Sequence, residues 1–268
     1  MAGSLRGPRA KIERAKKHIG ELELAVSALV FSNTSHPHVI TVESDPQAGN
    51  KVYKVGKIPP VPDGVAAIAG DAIHNLRSSL DLLMSQLVER RRNPGSIYFP
   101  TASNRKRFEA RCKAEVQACV DKDAFDLVCA SEAYRGGNGD AAWRVHRLDI
   151  EDKHRVVYEL GFHLRSQTLG LPGFAPSDLF SPEQTAEMNR MLATMLDDLF
   201  YRPADTMFPL KEGDVLFTGP PKQINDPKFR LDITFAQPRF VQGETVLPAI
   251  TQLSQAVETI VEAFSPLF

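Results

Sequence analysis

One segment of the chain is rich in side chains that are common in acid–base sites. Between Gly70 and Leu83 its polar residues are Asp71, His74, Asn75, Arg77, Ser78 and Asp81. At 100° per residue these side chains lie largely opposite an apolar stripe, as in an amphipathic helix. His74, Arg77 and Asp81 follow i, i+3, i+7 spacing, so they stack over one another on one face.

This polar stripe has the residue types of a site for an anionic ligand. Arg77 would bind the anion through its planar fork of donors, and His74 would move a proton because imidazole titrates near neutrality. Asp71 or Asp81 would orient the imidazole, and Asn75, at the edge of the apolar stripe, is predicted to be a buried hydrogen-bonding residue. The alternative is that the stripe is only the polar face of a surface helix.

A second polar cluster lies in the run from Arg147 to Arg155. Arg147, Glu151 and His154 are spaced i, i+4, i+7 and share a helix face, and Arg155 flanks them. If this face packs against the first stripe, two Arg–His sets surround one polar groove that suits a phosphodiester. The alternative is ordinary ion pairing within one helix.

Composition and charge exclude several classes of protein. The net charge of −1 over 268 residues excludes a globally basic protein that coats nucleic acid. Three cysteines, without paired C-x-x-C spacing, argue against a disulfide framework or a structural zinc site. No apolar run reaches the roughly 20 residues that span a bilayer, and the N-terminus lacks an apolar leader. We therefore expect a soluble, cytoplasmic protein without a metal or cofactor.

The elements that must position these residues follow from periodicity and turn residues. Helices are predicted over 9–31, 64–90, 103–120, 122–133, 141–158, 183–199 and 246–264. Strands are predicted over 38–44, 51–57, 214–218 and 228–236. Residues 161–180 are interpreted as a Gly/Pro-rich connection, Gly136–Gly139 as a turn, and Ser181–Gln184 as a capping box.

The fold class that follows is α+β and mostly helical. We predict one domain over residues 9–268, after a disordered segment at 1–8. Its helical core carries a small antiparallel sheet formed by the N-terminal and C-terminal strand pairs, and its first and last helices are neighbours. The methionine-containing helix 183–199 is a candidate homodimer face, although packing into the core explains it equally well.

Two motifs carry a resemblance to known families. G-D-x-x-H-N-L-R-S-x-L-D (Gly70–Asp81) and D-K-H-R (Asp152–Arg155) resemble a family of uncharacterised bacterial proteins of similar length. More distantly, the chain resembles the HEPN superfamily of helical, usually dimeric proteins, many of them metal-independent ribonucleases with an Arg-x4–6-His motif. Arg147 and His154, separated by six residues, match that motif.

Two functional hypotheses remain open at this point. The resemblance to HEPN proteins implies RNA or another phosphate-bearing ligand as the partner, and a homodimer. Arg147 and Arg77 would then hold the scissile phosphate, and His154 or His74 would act as general acid or base. Alternatively, the protein is a non-catalytic binding or interaction protein in which the two polar clusters hold the central helices together.

Overall fold

The computed structural model describes most of the chain, with gaps. The described residues are 4–34, 39–44, 49–88, 97–154, 158–168, 181, 183, 184, 187, 209–219 and 228–268. They divide into two compact units. The first comprises residues 1–26, 62–159 and 237–268, and the second comprises residues 27–61 and 160–236. The single domain over 9–268 stays a prediction.

The helices lie close to their predicted positions. They are α1 (Arg6–Thr34), α2 (Asp63–Leu87), α3 (Arg105–Arg111), α4 (Lys122–Ala130), α5 (Asp140–His154) and α6 (Val246–Ala263). Because α1 begins at Arg6, residues 6–8 belong to a helix and not to a disordered segment. Within the predicted helix 103–120, α3 passes into a π-helical segment at Cys112–Val116.

The first unit is a helical assembly built around α2. Helix α2 packs against both α5 and α6, and α5 also contacts α6. The predicted apolar stripe of α2 forms the core of this unit, since Ala69, Ala72, Ile73, Leu76, Leu80 and Leu83 are all fully buried. Helices α1 and α6 are neighbours as predicted, because Arg9 and Lys16 pair with Glu262 and Glu258.

The turn before α5 fixes where that helix starts. Gly136 has a φ of 80°, a conformation that favours glycine. A Cβ atom at Gly139 would clash with the carbonyl oxygen of Ser131. The Gly136 amide donates to the Asp140 carboxylate at 2.8 Å. This tight turn therefore fixes the residue at which α5 begins, and α5 then packs against α2.

The second unit contains the strands. Strands β1 (Ile40–Ser44) and β2 (Lys51–Val55) form the predicted antiparallel hairpin, and β4 (Val215–Gly219) pairs with β2. Strand β3 (Leu160–Thr168) pairs with β5 (Lys228–Phe235) in a separate two-stranded sheet. The two C-terminal strands therefore pair with earlier strands in the chain, β4 with β2 and β5 with β3.

Strand β3 corrects the prediction of a connection over 161–180 for residues 161–168, and the rest of that stretch lies outside the described residues. Its apolar residues Leu160, Phe162 and Leu164 alternate with other residues, which is the period of a strand. The strand was not predicted because the glycines and prolines that follow it in the sequence favour a loop. Phe162 is buried, as expected for a residue on the core-facing side of a strand.

The predicted fold class is confirmed, since the protein is α+β and mostly helical with small antiparallel sheets. The capping box is confirmed as well: Gln184 N donates to Ser181 Oγ at 3.1 Å, and Ser181 N donates to Gln184 Oε1 at 2.9 Å. Most of the candidate dimer face at 183–199 lies outside the described residues. Among the helices that the structure describes, none is long and apolar enough to cross a membrane.

Candidate functional site

The centre of the candidate site is a contact between α2 and α5. The Nδ1 atom of His74 lies 2.9 Å from Oδ1 of Asp149, 75 residues later in the chain. Asp149 is only 3% exposed, whereas the His74 side chain is 45% exposed. The structure thus differs from the expectation that Asp71 or Asp81 orients His74, because the carboxylate in contact with the ring comes from α5.

This contact fixes which nitrogen of His74 carries the proton. A carboxylate only accepts hydrogen bonds, so Nδ1–H of His74 donates to Asp149. In the neutral ring, Nε2 is then the acceptor. Ser78, one turn later on α2, has its hydroxyl 3.4 Å from Nε2, which is long for a hydrogen bond. His74 therefore combines a fixed orientation with a proton-accepting atom that is only weakly engaged.

Asp149 is held from two sides. Its Oδ2 atom accepts from Lys153 Nζ at 2.6 Å, one turn along α5. A buried carboxylate is stabilised only when it is paired and hydrogen-bonded, and here a lysine and a histidine share that role. The two donors leave Asp149 little freedom to rotate, so the orientation of His74 is fixed by α5 as a whole.

Two further carboxyl groups, those of Asp71 and Asp152, lie close to Asp149. Burial raises the pKa of Asp152, and the negative charges of Asp149 and Asp71 raise it further. The carboxyl group of Asp152 lies against α2 at Gly70, where an added Cβ atom would be 2.5 Å from Oδ1. Gly70 therefore permits the close approach of α5 that brings these groups beside His74.

Arg77 is not presented to solvent. It is 4% exposed and forms a 2.6 Å ion pair with Asp81. It also donates to the carbonyl of Phe99 at 3.1 Å, while Asp81 accepts from the Phe99 amide at 3.1 Å. Burial lowers the pKa of Arg77 and raises that of Asp81, and in both cases it outweighs their mutual attraction. The predicted anion-binding role of Arg77 does not fit this environment, because its guanidinium is enclosed by protein.

Asn75 has the buried hydrogen-bonding role that the sequence predicts. It is 8% exposed, and its amide donates to the backbone carbonyl of Asp71 at 2.8 Å. Its Oδ1 atom accepts from Lys11 of α1 at 3.3 Å. Asn75 therefore joins α2 to α1, and Asp71 is exposed.

The second predicted cluster lies on another face of α5. Arg147 pairs with Glu151 at 3.4 Å, the intrahelical alternative that the spacing allows. Because Arg147 and Asp149 are two residues apart, they project about 200° apart around the helix. The residue that α5 turns toward His74 is thus Asp149 and not Arg147. The side chain of His154 and all of Arg155 lie outside the described residues.

Sequence reasoning missed His146, which lies on the same side of α5 as Asp149. Its pKa is lowered to about 4, first by burial and then by the positive charges of Arg77 and Arg111. Helical spacing could have found it, since it precedes Asp149 by three residues. The sequence reasoning also overlooked Asp149 as the partner of His74, because no local pattern indicates which residue of α5 contacts α2.

The lowered pKa of His146 predicts a pH dependence of stability. Between pH 6.5 and about 4 the native ring is neutral, whereas the ring in the unfolded chain takes up a proton. The unfolded state then binds more protons, so the free energy of unfolding should fall as the pH falls through this window. Urea unfolding at stepped pH should show a shallower fall for His146→Gln than for wild type.

The comparison with His146→Gln isolates this one ring. The raised pKa values of Asp81 and Asp152 act in the opposite direction, because they add stability as the pH falls. Both carboxyl groups are present in the variant and in wild type, so their contributions cancel in the difference. Parallel stability curves for the two proteins would contradict the assignment.

Neither a metal centre nor a family assignment accounts for this site. The described residues contain no group of three or more His, Cys, Asp or Glu side chains arranged to hold a metal ion. A scan against protein-family models finds no match, and searches of curated proteins and of solved structures find none either. The proposed function therefore depends on the geometry of the site itself.

Proposed function

We propose that this protein is a metal-independent acid–base enzyme that cleaves RNA, with His74 as its general base. The observation that supports the proposal is the half-exposed imidazole of His74, whose Nδ1 is bound to the buried Asp149. This arrangement leaves the lone pair of Nε2 as the proton-accepting site of the neutral ring. A base with its ring oriented by a carboxylate is suited to remove a hydroxyl proton near neutral pH.

The reaction would begin at a ribose 2′-hydroxyl. His74 Nε2 takes the proton, the 2′-oxygen attacks phosphorus, and the bond to the 5′-oxygen breaks. The leaving 5′-oxygen takes up a proton from water, and His74 returns the proton it has taken to the solvent. The products are a 2′,3′-cyclic phosphate and a free 5′-hydroxyl. Lys153, whose side chain is about half exposed and lies beside Asp149, supplies positive charge for the phosphate backbone.

The test is cleavage of a labelled single-stranded RNA by the purified protein in EDTA. Wild type should yield fragments that end in a cyclic phosphate. His74→Asn is the informative variant, because its amide can still donate to Asp149 but cannot take a proton. We expect cleavage to fall by about 100-fold or more in this variant.

Two outcomes would overturn the proposal. One is the absence of cleavage by wild type. The other is unchanged cleavage by His74→Asn with a circular dichroism spectrum like that of wild type, which would indicate a contaminating nuclease or a different site. His154→Ala, assayed in parallel, tests the Arg147–Glu151–His154 face, which the resemblance to HEPN proteins favours.

A second candidate is a non-catalytic binding protein in which the polar clusters hold the helices together. The specific observation in its favour is the burial of Arg77 with Asp81 against the Phe99 backbone. On this hypothesis, wild type does not cleave RNA, and His74→Ala mainly lowers thermal stability. RNA cleavage that depends on His74 would contradict this second candidate function.

A further inference from the structure

The hydroxyl group of Ser78 lies next to the imidazole of His74 on α2. We propose that Ser78 is a nucleophile, activated by His74 and Asp149, and that it accepts the acyl group of a carboxylic ester. The three side chains form a chain from hydroxyl to imidazole to carboxylate, with separations of 3.4 Å and 2.9 Å. This is the order of groups that activates a serine by removing its proton as it attacks.

The local structure keeps these groups in register. His74 and Ser78 are separated by one helical turn, so the backbone of α2 fixes the distance between their Cβ atoms. Asp149 is buried and held by Lys153, so it cannot easily turn away from the ring. The His74 side chain is about half exposed and Ser78 is partly exposed, so a substrate can approach both residues from the solvent.

Other serines of α2 show what is particular to Ser78. The next residue, Ser79, is fully buried, and its hydroxyl donates to the backbone carbonyl of Pro8 at 3.0 Å. Ser85, two turns further along the same face, is exposed. Ser78 alone among these three combines partial exposure with a histidine acceptor. The chain therefore supplies its own matched control in Ser85.

The reaction balances without a metal or an oxidant. Ser78 Oγ forms a bond to the carbonyl carbon as its proton passes to Nε2 of His74. The bond from that carbon to the alcohol oxygen breaks, and the alcohol leaves with this proton. Water then attacks the acyl-serine and gives one proton to Nε2. Ser78 takes that proton back as the carboxylic acid departs.

This inference shares His74 with the proposed RNA cleavage but does not require RNA as a substrate. In RNA cleavage the substrate's own hydroxyl attacks phosphorus and no bond forms to Ser78, whereas ester cleavage passes through a covalent bond to Ser78 Oγ. Both reactions are therefore assayed on the same wild-type preparation. RNA cleavage without an adduct on Ser78 contradicts this inference alone, and an adduct on Ser78 without RNA cleavage contradicts the proposed function alone.

The experiment is reaction with a fluorophosphonate probe, followed by mass spectrometry of the intact and digested protein. The probe forms an Oγ–P bond, fluoride leaves, and the proton goes to His74. We expect a single adduct on Ser78 in wild type and in Ser85→Ala, at least 10-fold slower labelling in His74→Asn, and none in Ser78→Ala. Mapping the wild-type adduct does not depend on whether any variant folds.

Three results would overturn the inference. They are no adduct on wild type under conditions in which trypsin is fully labelled, an adduct on another residue, and labelling of Ser78 at an undiminished rate in a folded His74→Asn variant. A burst of p-nitrophenolate from p-nitrophenyl acetate, equal to the amount of wild-type enzyme and absent in Ser78→Ala, would support it independently.

Discussion

Arg77→Ala is expected to lower the free energy of unfolding by about 3–5 kcal/mol, which is the usual cost of removing one partner of a buried ion pair. The substitution leaves the carboxylate of Asp81 without its cation and the carbonyl of Phe99 without its donor. It also opens a cavity where a nearly fully buried side chain was. Urea unfolding at neutral pH measures the change.

Two controls test whether the loss of stability in Arg77→Ala comes from the buried ion pair. Arg105→Ala removes an exposed arginine that pairs with Glu109 at the same i, i+4 spacing, so it should lower stability far less than Arg77→Ala does. Arg77→Met combined with Asp81→Leu removes both charges, whose burial is unfavourable, and should recover part of the lost stability. The recovery is partial because the amide and carbonyl of Phe99 lose their side-chain partners. Equal costs for Arg77→Ala and Arg105→Ala would contradict the buried-pair interpretation.

Asp149→Asn is expected to reduce both proposed activities, RNA cleavage and acyl transfer to Ser78, by about 100- to 10,000-fold. Asp149 accepts from two donors, Nδ1 of His74 and Nζ of Lys153. An amide has only one oxygen, and the charged lysine should take it. The NH₂ group then faces Nδ1, so the ring proton moves to Nε2 and the base is lost.

A double variant tests this explanation directly. When Asp149→Asn is combined with Lys153→Ala, the amide oxygen is free to turn toward Nδ1 and restore the original tautomer. We therefore expect the double variant to be more active than Asp149→Asn alone. The measurement is the rate of fluorophosphonate labelling of Ser78, because Lys153 also supplies charge for the RNA phosphate backbone and its removal would lower RNA cleavage by itself. A double variant no better than the single one would argue against the role of Asp149 as the residue that sets the tautomer.

Local sequence determined much of the architecture, because local rules act over one or two turns. The apolar stripe of α2 follows from the 3.6-residue period, and the structure buries it as predicted. The capping box at Ser181–Gln184 and the hairpin of β1 and β2 follow from short-range hydrogen bonding and turn residues. Among candidate site residues, His74 was found because its position on the polar face of α2 is a local property.

The partners of these residues were decided only by the tertiary structure. Periodicity shows which face of a helix is polar, but not how far the neighbouring helix is rotated about its own axis. That rotation turns Asp149 toward His74 and leaves Arg147 on another face of α5. In the same way, Arg77 is buried and donates to the backbone carbonyl of Phe99. A sequence pattern cannot distinguish this buried arginine from an exposed one. Contacts between residues distant in the chain depend on packing, and packing is a property of the whole unit.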